Sequence, residues 1–272
     1  MSDPLFSVEE QLIVITGGLG QLGRHFATEL AARGARIGLL DIQDDPDLLP
    51  EPLGAARDAG RLLLLHGDVT SRDSLVAALT QLDATWGPPH GLVNSAAMHV
   101  PPNAPATDTG PFETYPEEAW DRMMDVNLKG VFLACQVFGG AMAQAGRGSV
   151  INISSTYGLV SPDQRIYQHI RDAGTEFYKP VSYSAAKSAL FNVTRYLATY
   201  WAEKGVRVNT LSFSGVFANQ DDQFIEAFER RLPLGRMAHP EDYTGAVIFL
   251  LSQASAYMTG SSMVVDGGWT AW

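Results

Sequence analysis

One cysteine, Cys135, stands among 272 residues. No internal disulfide can form, so the fold must rest on a packed core, and a reducing cytoplasm is the expected setting. Cys135 follows Phe132 and Leu133 in an apolar helical stretch, which assigns the thiol to packing rather than to nucleophilic chemistry. Basic residues are also few: 19 Lys and Arg stand against 30 Asp and Glu, a net charge of −11. With no basic stripe and no run of like charge, no nucleic-acid partner is expected. No uninterrupted apolar run is long enough to span a bilayer, and Met1 to Glu10 is polar and acidic, so neither membrane insertion nor export is expected. None of the six histidines sits in a two-histidine helical motif or beside a cysteine pair. No metal is expected.

What the chain does contain is alternation. Apolar runs at Leu12 to Thr16, Arg36 to Leu40, Arg61 to His66, Gly91 to Asn94, Ser149 to Ile153, Arg207 to Ser212 and Met263 to Val265 are separated by segments of helical period. This pattern predicts an α/β fold, a doubly wound Rossmann-type parallel sheet of about seven strands with helices on both faces. No internal repeat or long linker divides it, so residues 1–272 read as a single domain. Two irregular stretches stand out: the Pro-rich segment Pro101 to Pro116, and Thr156 to Ser182. Loops of that length in a compact domain are commonly lids or binding loops.

Between the first strand and first helix lies Thr16-Gly17-Gly18-Leu19-Gly20-Gln21-Leu22-Gly23. A dinucleotide diphosphate can meet backbone N–H groups and a helix N-terminus here, and glycine permits its close approach. Gly17, Leu19, Gly20, Gln21, Leu22 and Gly23 are therefore candidate cofactor contacts. Asp41 ends the second strand, 18 positions after Gly23, where an acid can bond the adenosine ribose hydroxyls and repel a 2′-phosphate. With Ile42 beside it, Asp41 favours NAD over NADP.

Tyr183 and Lys187 are four positions apart at the start of a helical pattern whose buried face runs through Ala186, Leu190 and Leu197. That spacing stacks them on one side. A tyrosine of ordinary pKa is almost wholly protonated at neutral pH, so acid–base work needs a nearby cation, and Lys187 can supply it. Tyr200 and Lys204 repeat the spacing near the helix end, where a solvated face explains them better.

With these motifs in order, the chain resembles the single-domain branch of the short-chain dehydrogenase/reductase family over nearly its full length. Gly67-Asp68-Val69 is similar to the adenine-contacting element, which implies Asp68 and Val69. Asn94-Ser95-Ala96-Ala97 resembles the Asn-Asn-Ala-Gly motif, which implies Asn94 and Ala96. Asn127 matches the asparagine that supports a water-linked relay to the lysine, Ser155 the serine that bonds the substrate oxygen, and Val216 a carboxamide contact. Asn127, Ser155, Tyr183 and Lys187 are thus the implied catalytic set. The implied reaction is hydride transfer between NAD(H) and a small molecule bearing a secondary alcohol or ketone. Alternatives are an epimerase or dehydratase that returns the hydride to its substrate, and an NAD-sensing protein without turnover. The resemblance also implies a homodimer or homotetramer, with the aromatic C-terminus available to an interface.

Three departures are visible. Gln21 replaces a usual glycine, Phe213-Ser214 replaces the usual Pro-Gly, and Ser155 and Tyr183 are 28 positions apart. The insert at about 156–182 reads as a substrate-covering lid, with Arg165, His169, Arg171 and Lys179 as donors and Tyr157, Tyr167, Phe177 and Tyr178 as flat surfaces. The insert and the closing Trp269 to Trp272 look similar to a bacterial subgroup tied to surface-saccharide and flagellin-sugar biosynthesis.

Overall fold

In the computed structural model, which describes residues 3–101, 104–105 and 107–272, seven parallel strands form one sheet. They are β1 (Leu12–Thr16), β2 (Arg36–Asp41), β3 (Leu62–His66), β4 (Gly91–Asn94), β5 (Gly148–Ser155), β6 (Val206–Phe213) and β7 (Ser262–Val265), in the order β3-β2-β1-β4-β5-β6-β7. Helices cover both faces, which is why every residue of β1 is buried and its sequence is apolar without alternation. The main helices are α1 (Gln21–Ala32), α2 (Glu51–Asp58), α3 (Arg72–Trp86), α4 (Glu117–Met124), α5 (Gly130–Ala134), α6 (Gly140–Ala145), α7 (Thr156–Leu159), α8 (Gln168–Asp172), α9 (Val181–Tyr200), α10 (Asp222–Glu229) and α11 (Glu241–Leu251). Phe26 and Leu30 of α1, Leu53 of α2 and Tyr243 and Val247 of α11 pack on one face. Leu75 and Leu82 of α3, Phe138, Met142 and Leu190 pack on the other.

Two strands run further than the sequence pattern predicts. β5 continues two residues past Ile153 and β6 one past Ser212, paired through Ser155 and Phe213. The extension carries Ser154 and Ser155 to the carboxyl edge, beside the crevice where β1 pairs with both β2 and β4.

Helices α4, α5 and α6 form one helical run, Glu117–Ala145, with π turns at Asp125–Lys129 and Cys135–Gly139. By length and composition this run could cross a membrane, yet Met123, Val131, Phe138 and Met142 bury it within the domain. Cys135 is buried there as expected, and burial pushes its thiol up to about 12.

The segment 156–182 is more ordered than a loop. The Ser155 hydroxyl accepts from Tyr157 N at 3.1 Å and caps α7, and the Asp163 carboxylate accepts from Arg165 N at 3.0 Å and caps a 3-10 turn, Gln164–Tyr167. Tyr157, Ile166, Tyr167 and Phe177 then form a third core with Phe224 and Phe228 of α10 and with Trp269. Trp269 is buried and stacks on Phe228 at 4.4 Å, so it is not an exposed interface residue. Trp272 is exposed.

Candidate active site

The glycine-rich turn is held from below. The Thr16 hydroxyl accepts from Ser95 N and Ala96 N, both at 3.1 Å, and locks the end of β1 to the end of β4. Gly17 has φ +64°, and a Cβ on it would sit 2.6 Å from Ala96 Cα. A Cβ on Gly23 would sit 2.2 Å from Gly17 O. Glycine is therefore required at both positions by close backbone approach. Gly20 caps α1 without a side-chain bond, so the first-turn N–H groups of a twelve-residue helix remain available at the cavity edge. These features fit a dinucleotide diphosphate.

The structure brings most of the predicted set together and gives some members other work. Gly17, Gly20, Gln21, Leu22, Gly23, Ser155, Tyr183, Lys187 and Val216 all line one cavity of about 550 Å³. Asp41 lies behind it, its carboxylate accepting from Leu19 N at 2.9 Å and from Gln43 N at 3.2 Å, with Ile42 exposed alongside. Asp68 accepts from the N–H and hydroxyl of Thr70 at 2.8 and 2.7 Å. The Val69 side chain is in the core against Gly130, which limits any cofactor contact to its backbone. Asn94 is buried and donates to Asn152 Oδ1 at 2.8 Å, while its own Oδ1 has no partner among the described residues.

Tyr183 and Lys187 sit one turn apart on α9. Lys187 is buried and donates to Ile153 O at 2.8 Å, and burial lowers its ammonium to about 8. Burial raises the Tyr183 phenol above the ordinary value, and the nearby Ser155 hydroxyl opposes that rise. Lys187 Nζ lies 6.0 Å from the Tyr183 ring centroid. Asn127, fully buried in the first π turn, accepts from Met98 N at 2.7 Å and donates to Met98 O at 2.9 Å. Its side chain thus fixes the strand exit after β4. Tyr200 is 59% exposed with Lys204 Nζ 5.4 Å from its ring, as expected of a solvated face.

The departures have local explanations. Gln21 Nε2 donates to Phe217 O at 2.8 Å, joining the glycine-rich turn to the segment after β6. Phe213 stacks on Tyr243 at 4.0 Å, and the Tyr243 hydroxyl donates to Ser214 O at 3.2 Å, which holds that segment without Pro-Gly. Of the four donors expected in the insert, only Lys179 lines the cavity. Arg165 pairs with Asp163, His169 faces Asp221 at 3.0 Å, and Arg171 donates to Phe177 O and Gln164 O. Of the four aromatics, Tyr157 and Tyr167 line the cavity, Phe177 is fully buried, and Tyr178 lies under Arg171. Phe224, Phe228 and Met237 add a far wall that the sequence does not mark, apart from the i, i+4 spacing of the two Phe residues.

Residues 20–270 match the family described as enoyl-(acyl carrier protein) reductase, a short-chain dehydrogenase/reductase group. The chain belongs to the short-chain dehydrogenase/reductase family. Two relatives are a D-threitol dehydrogenase of Mycolicibacterium smegmatis, 31% identical over 97% of this chain and 95% of that one, and an NAD-dependent glycerol dehydrogenase of Listeria innocua, 28% identical over 98% and 97%. Among solved structures, a short chain dehydrogenase from Leptospira borgpetersenii with bound NAD+ is 31% identical with a TM-score of 0.84, over 99% of this chain and 96% of that one. A gluconate 5-dehydrogenase from Burkholderia cenocepacia in complex with NADP and tartrate is 26% identical with a TM-score of 0.83, over 99% and 98%. As a short-chain dehydrogenase/reductase, the protein is an oxidoreductase that interconverts an alcohol and a ketone with a nicotinamide cofactor.

Proposed function

We propose that this chain is an NAD-preferring dehydrogenase of a polyol or sugar, with Tyr183 as acid–base, Lys187 and Ser155 beside it, and Asn127 in the support of a proton path. The observation that carries the reading is the convergence of Tyr183, Ser155 and Lys187 on one cavity with the glycine-rich turn. When bound, the cofactor supplies the hydride acceptor or donor. Ser155 orients the substrate oxygen toward Tyr183. In the oxidation direction Tyr183 takes the hydroxyl proton, and the Lys187 ammonium favours the phenolate that accepts it. Asn127, bonded at both ends to Met98, keeps the chain after β4 in place against the site.

The preference for NAD rests on the Asp41 carboxylate at the end of β2, which would repel a 2′-phosphate. Gly17, Leu19, Gly20, Gln21, Leu22 and Gly23 form the diphosphate side, Val216 lines the cavity opposite, and Asp68 with the backbone of Val69, Asn94 and Ala96 would supply the remaining cofactor contacts. The polyol class is suggested by the relatives that act on threitol and glycerol. The reduced, buried Cys135 suits a cytoplasmic setting. Assembly into a homodimer or homotetramer is supported by a broad apolar concavity between Phe132 on α5 and Tyr196 on α9, both exposed.

The test is a screen of polyols and sugars for reduction of NAD and of NADP, followed by NADH absorbance. A polyol oxidised with NAD in clear preference to NADP is the expected result. Equal use of both cofactors would remove the role given to Asp41, and no oxidation of any alcohol would remove the dehydrogenase reading.

A further inference from the structure

The chain carries a net charge of −11, yet no Asp or Glu is among the described residues that line the active-site cavity. Its ionisable groups are Lys179, Lys187 and His99, with the phenols of Tyr157, Tyr167 and Tyr183. Lys187 is already oriented by Ile153 O. Lys179 is different: it enters from the insert, its Nζ is 4.8 Å from the centroid of the Tyr183 ring, and among the described residues its ammonium makes one hydrogen bond, to Val100 O at 3.4 Å. An ammonium has three donors, so most of its bonding capacity faces the cavity.

The lysine is also held in place. Gln164 donates from Nε2 to Lys179 O at 3.0 Å and accepts at Oε1 from Lys179 N at 2.9 Å, so the backbone is clamped on both sides. Acids nearby are engaged elsewhere, Asp163 with Arg165 and Arg231, and Asp221 with His169. The wall of Tyr167, Phe224 and Phe228 is largely apolar, and a less polar surround strengthens an ionic contact beside it. Burial lowers Lys179 to about 8, which leaves it about nine-tenths charged at pH 7. That charge is felt by His99, which partial burial and Lys179 together hold below the ordinary histidine value.

We infer that Lys179 makes this cavity a site for an anionic substrate, a polyhydroxylated chain whose carboxylate or phosphate pairs with the ammonium while its carbinol meets Tyr183. The inference rests on the dehydrogenase reading for the carbinol and on Lys179 alone for the anion. A clamped cation costs less ordering on binding than a surface lysine, so its pairing is realised as affinity.

The experiment compares D-gluconate, D-glucitol 6-phosphate and neutral D-glucitol with the whole enzyme, in two arms. Calorimetry on the enzyme with NADH bound measures affinity without turnover. Steady-state oxidation with NAD measures kcat and KM. At least one anion is expected to bind about tenfold or more tightly than glucitol, and which one identifies the group. In Lys179→Gln the ratio of kcat/KM for that anion to kcat/KM for glucitol should fall about ten- to a hundredfold, mostly through KM, with Lys179→Arg retaining part of the preference. NADH affinity should not change. Preference for glucitol in the wild type would overturn the inference. So would a Lys179→Gln loss that is equal for all three compounds, lies in kcat and shifts its pH profile, since Lys179 would then act on Tyr183. If none of the three, nor any alcohol in the wider screen, is oxidised while the anion still binds more tightly to wild type than to Lys179→Gln, the redox reading fails and the anion site stands.

Discussion

The wall of the cleft suited to the cofactor is made of strand ends and backbone amides, whereas the opposite wall is made of side chains from three separate stretches. On the first side, Thr16, Gly17, Gly20 and Gly23 are placed by the pairing of β1 with β2 and β4, and a Cβ at Gly17 or Gly23 would collide with backbone. On the second, Tyr167 and Phe177 of the insert pack on Phe224 of α10, and Phe228 packs on Trp269 near the C-terminus. Register leaves little room for change. Aromatic packing tolerates substitution and reshapes the pocket as it does so, which suits the half of an enzyme where substrates differ.

That contrast makes the two halves separable by mutation. The largest expected effect is at their junction: Tyr183→Phe should lower kcat by ~10² to 10⁴ while NAD affinity, measured by titration, stays near wild type. Tyr200→Phe, in the exposed copy of the spacing, should be mild. Equal losses in two folded variants would remove Tyr183 from its role.

Next comes the substrate wall. Phe177 is fully buried, with its ring 5.0 Å from that of Tyr167, and Phe177→Ala should cost about 3–5 kcal/mol in thermal or denaturant unfolding. It should raise KM for the alcohol while leaving the Kd for NAD unchanged. A weakened NAD affinity with unaltered KM would mean that the halves are not independent.

On the cofactor wall the charge of Asp41 can be separated from its hydrogen bond. Asp41 accepts from Leu19 N on one oxygen and from Gln43 N on the other, so Asp41→Asn removes the negative charge and keeps an amide oxygen for the Leu19 N–H while giving up the longer Gln43 bond. The NADP to NAD ratio of kcat/KM should rise about tenfold, the factor that 1.4 kcal/mol carries. An unchanged ratio would show that repulsion of the 2′-phosphate does not set the preference. The smallest effect belongs to Gln21→Ala, which breaks the link to Phe217 O and should weaken NAD binding by a few-fold, in keeping with a single hydrogen bond of about 1 kcal/mol. Stronger NAD binding in that variant would mean that the link obstructs the site.

The same contrast explains what could be read from the sequence. The strands were legible as short runs rich in apolar residues, continuous in β1, which is buried on both faces, and weaker at the half-exposed edge strand β7, and the glycine-rich turn and the Tyr183–Lys187 spacing are local. The insert was legible as present but not as built. Arg171 looked like a substrate donor, yet it bonds the insert's own carbonyls, and Trp269 looked exposed, yet it completes the third core. Those outcomes depend on Phe224 and Phe228, about fifty residues from the insert, and no local pattern carries such a contact. The π turn around Asn127 was equally hidden, since helix-period residues continue through it.

The measurement that bears most directly on the central claim follows a labelled hydrogen. The best alcohol from the NAD screen, carrying deuterium at the carbinol carbon, is incubated with the enzyme and NAD, and both products are analysed by mass spectrometry. The account predicts that the deuterium is recovered in the reduced cofactor, matched by an equal amount of ketone released without it. Deuterium retained in an epimerised or dehydrated product, with no net NADH, would contradict the account and establish the hydride-returning alternative.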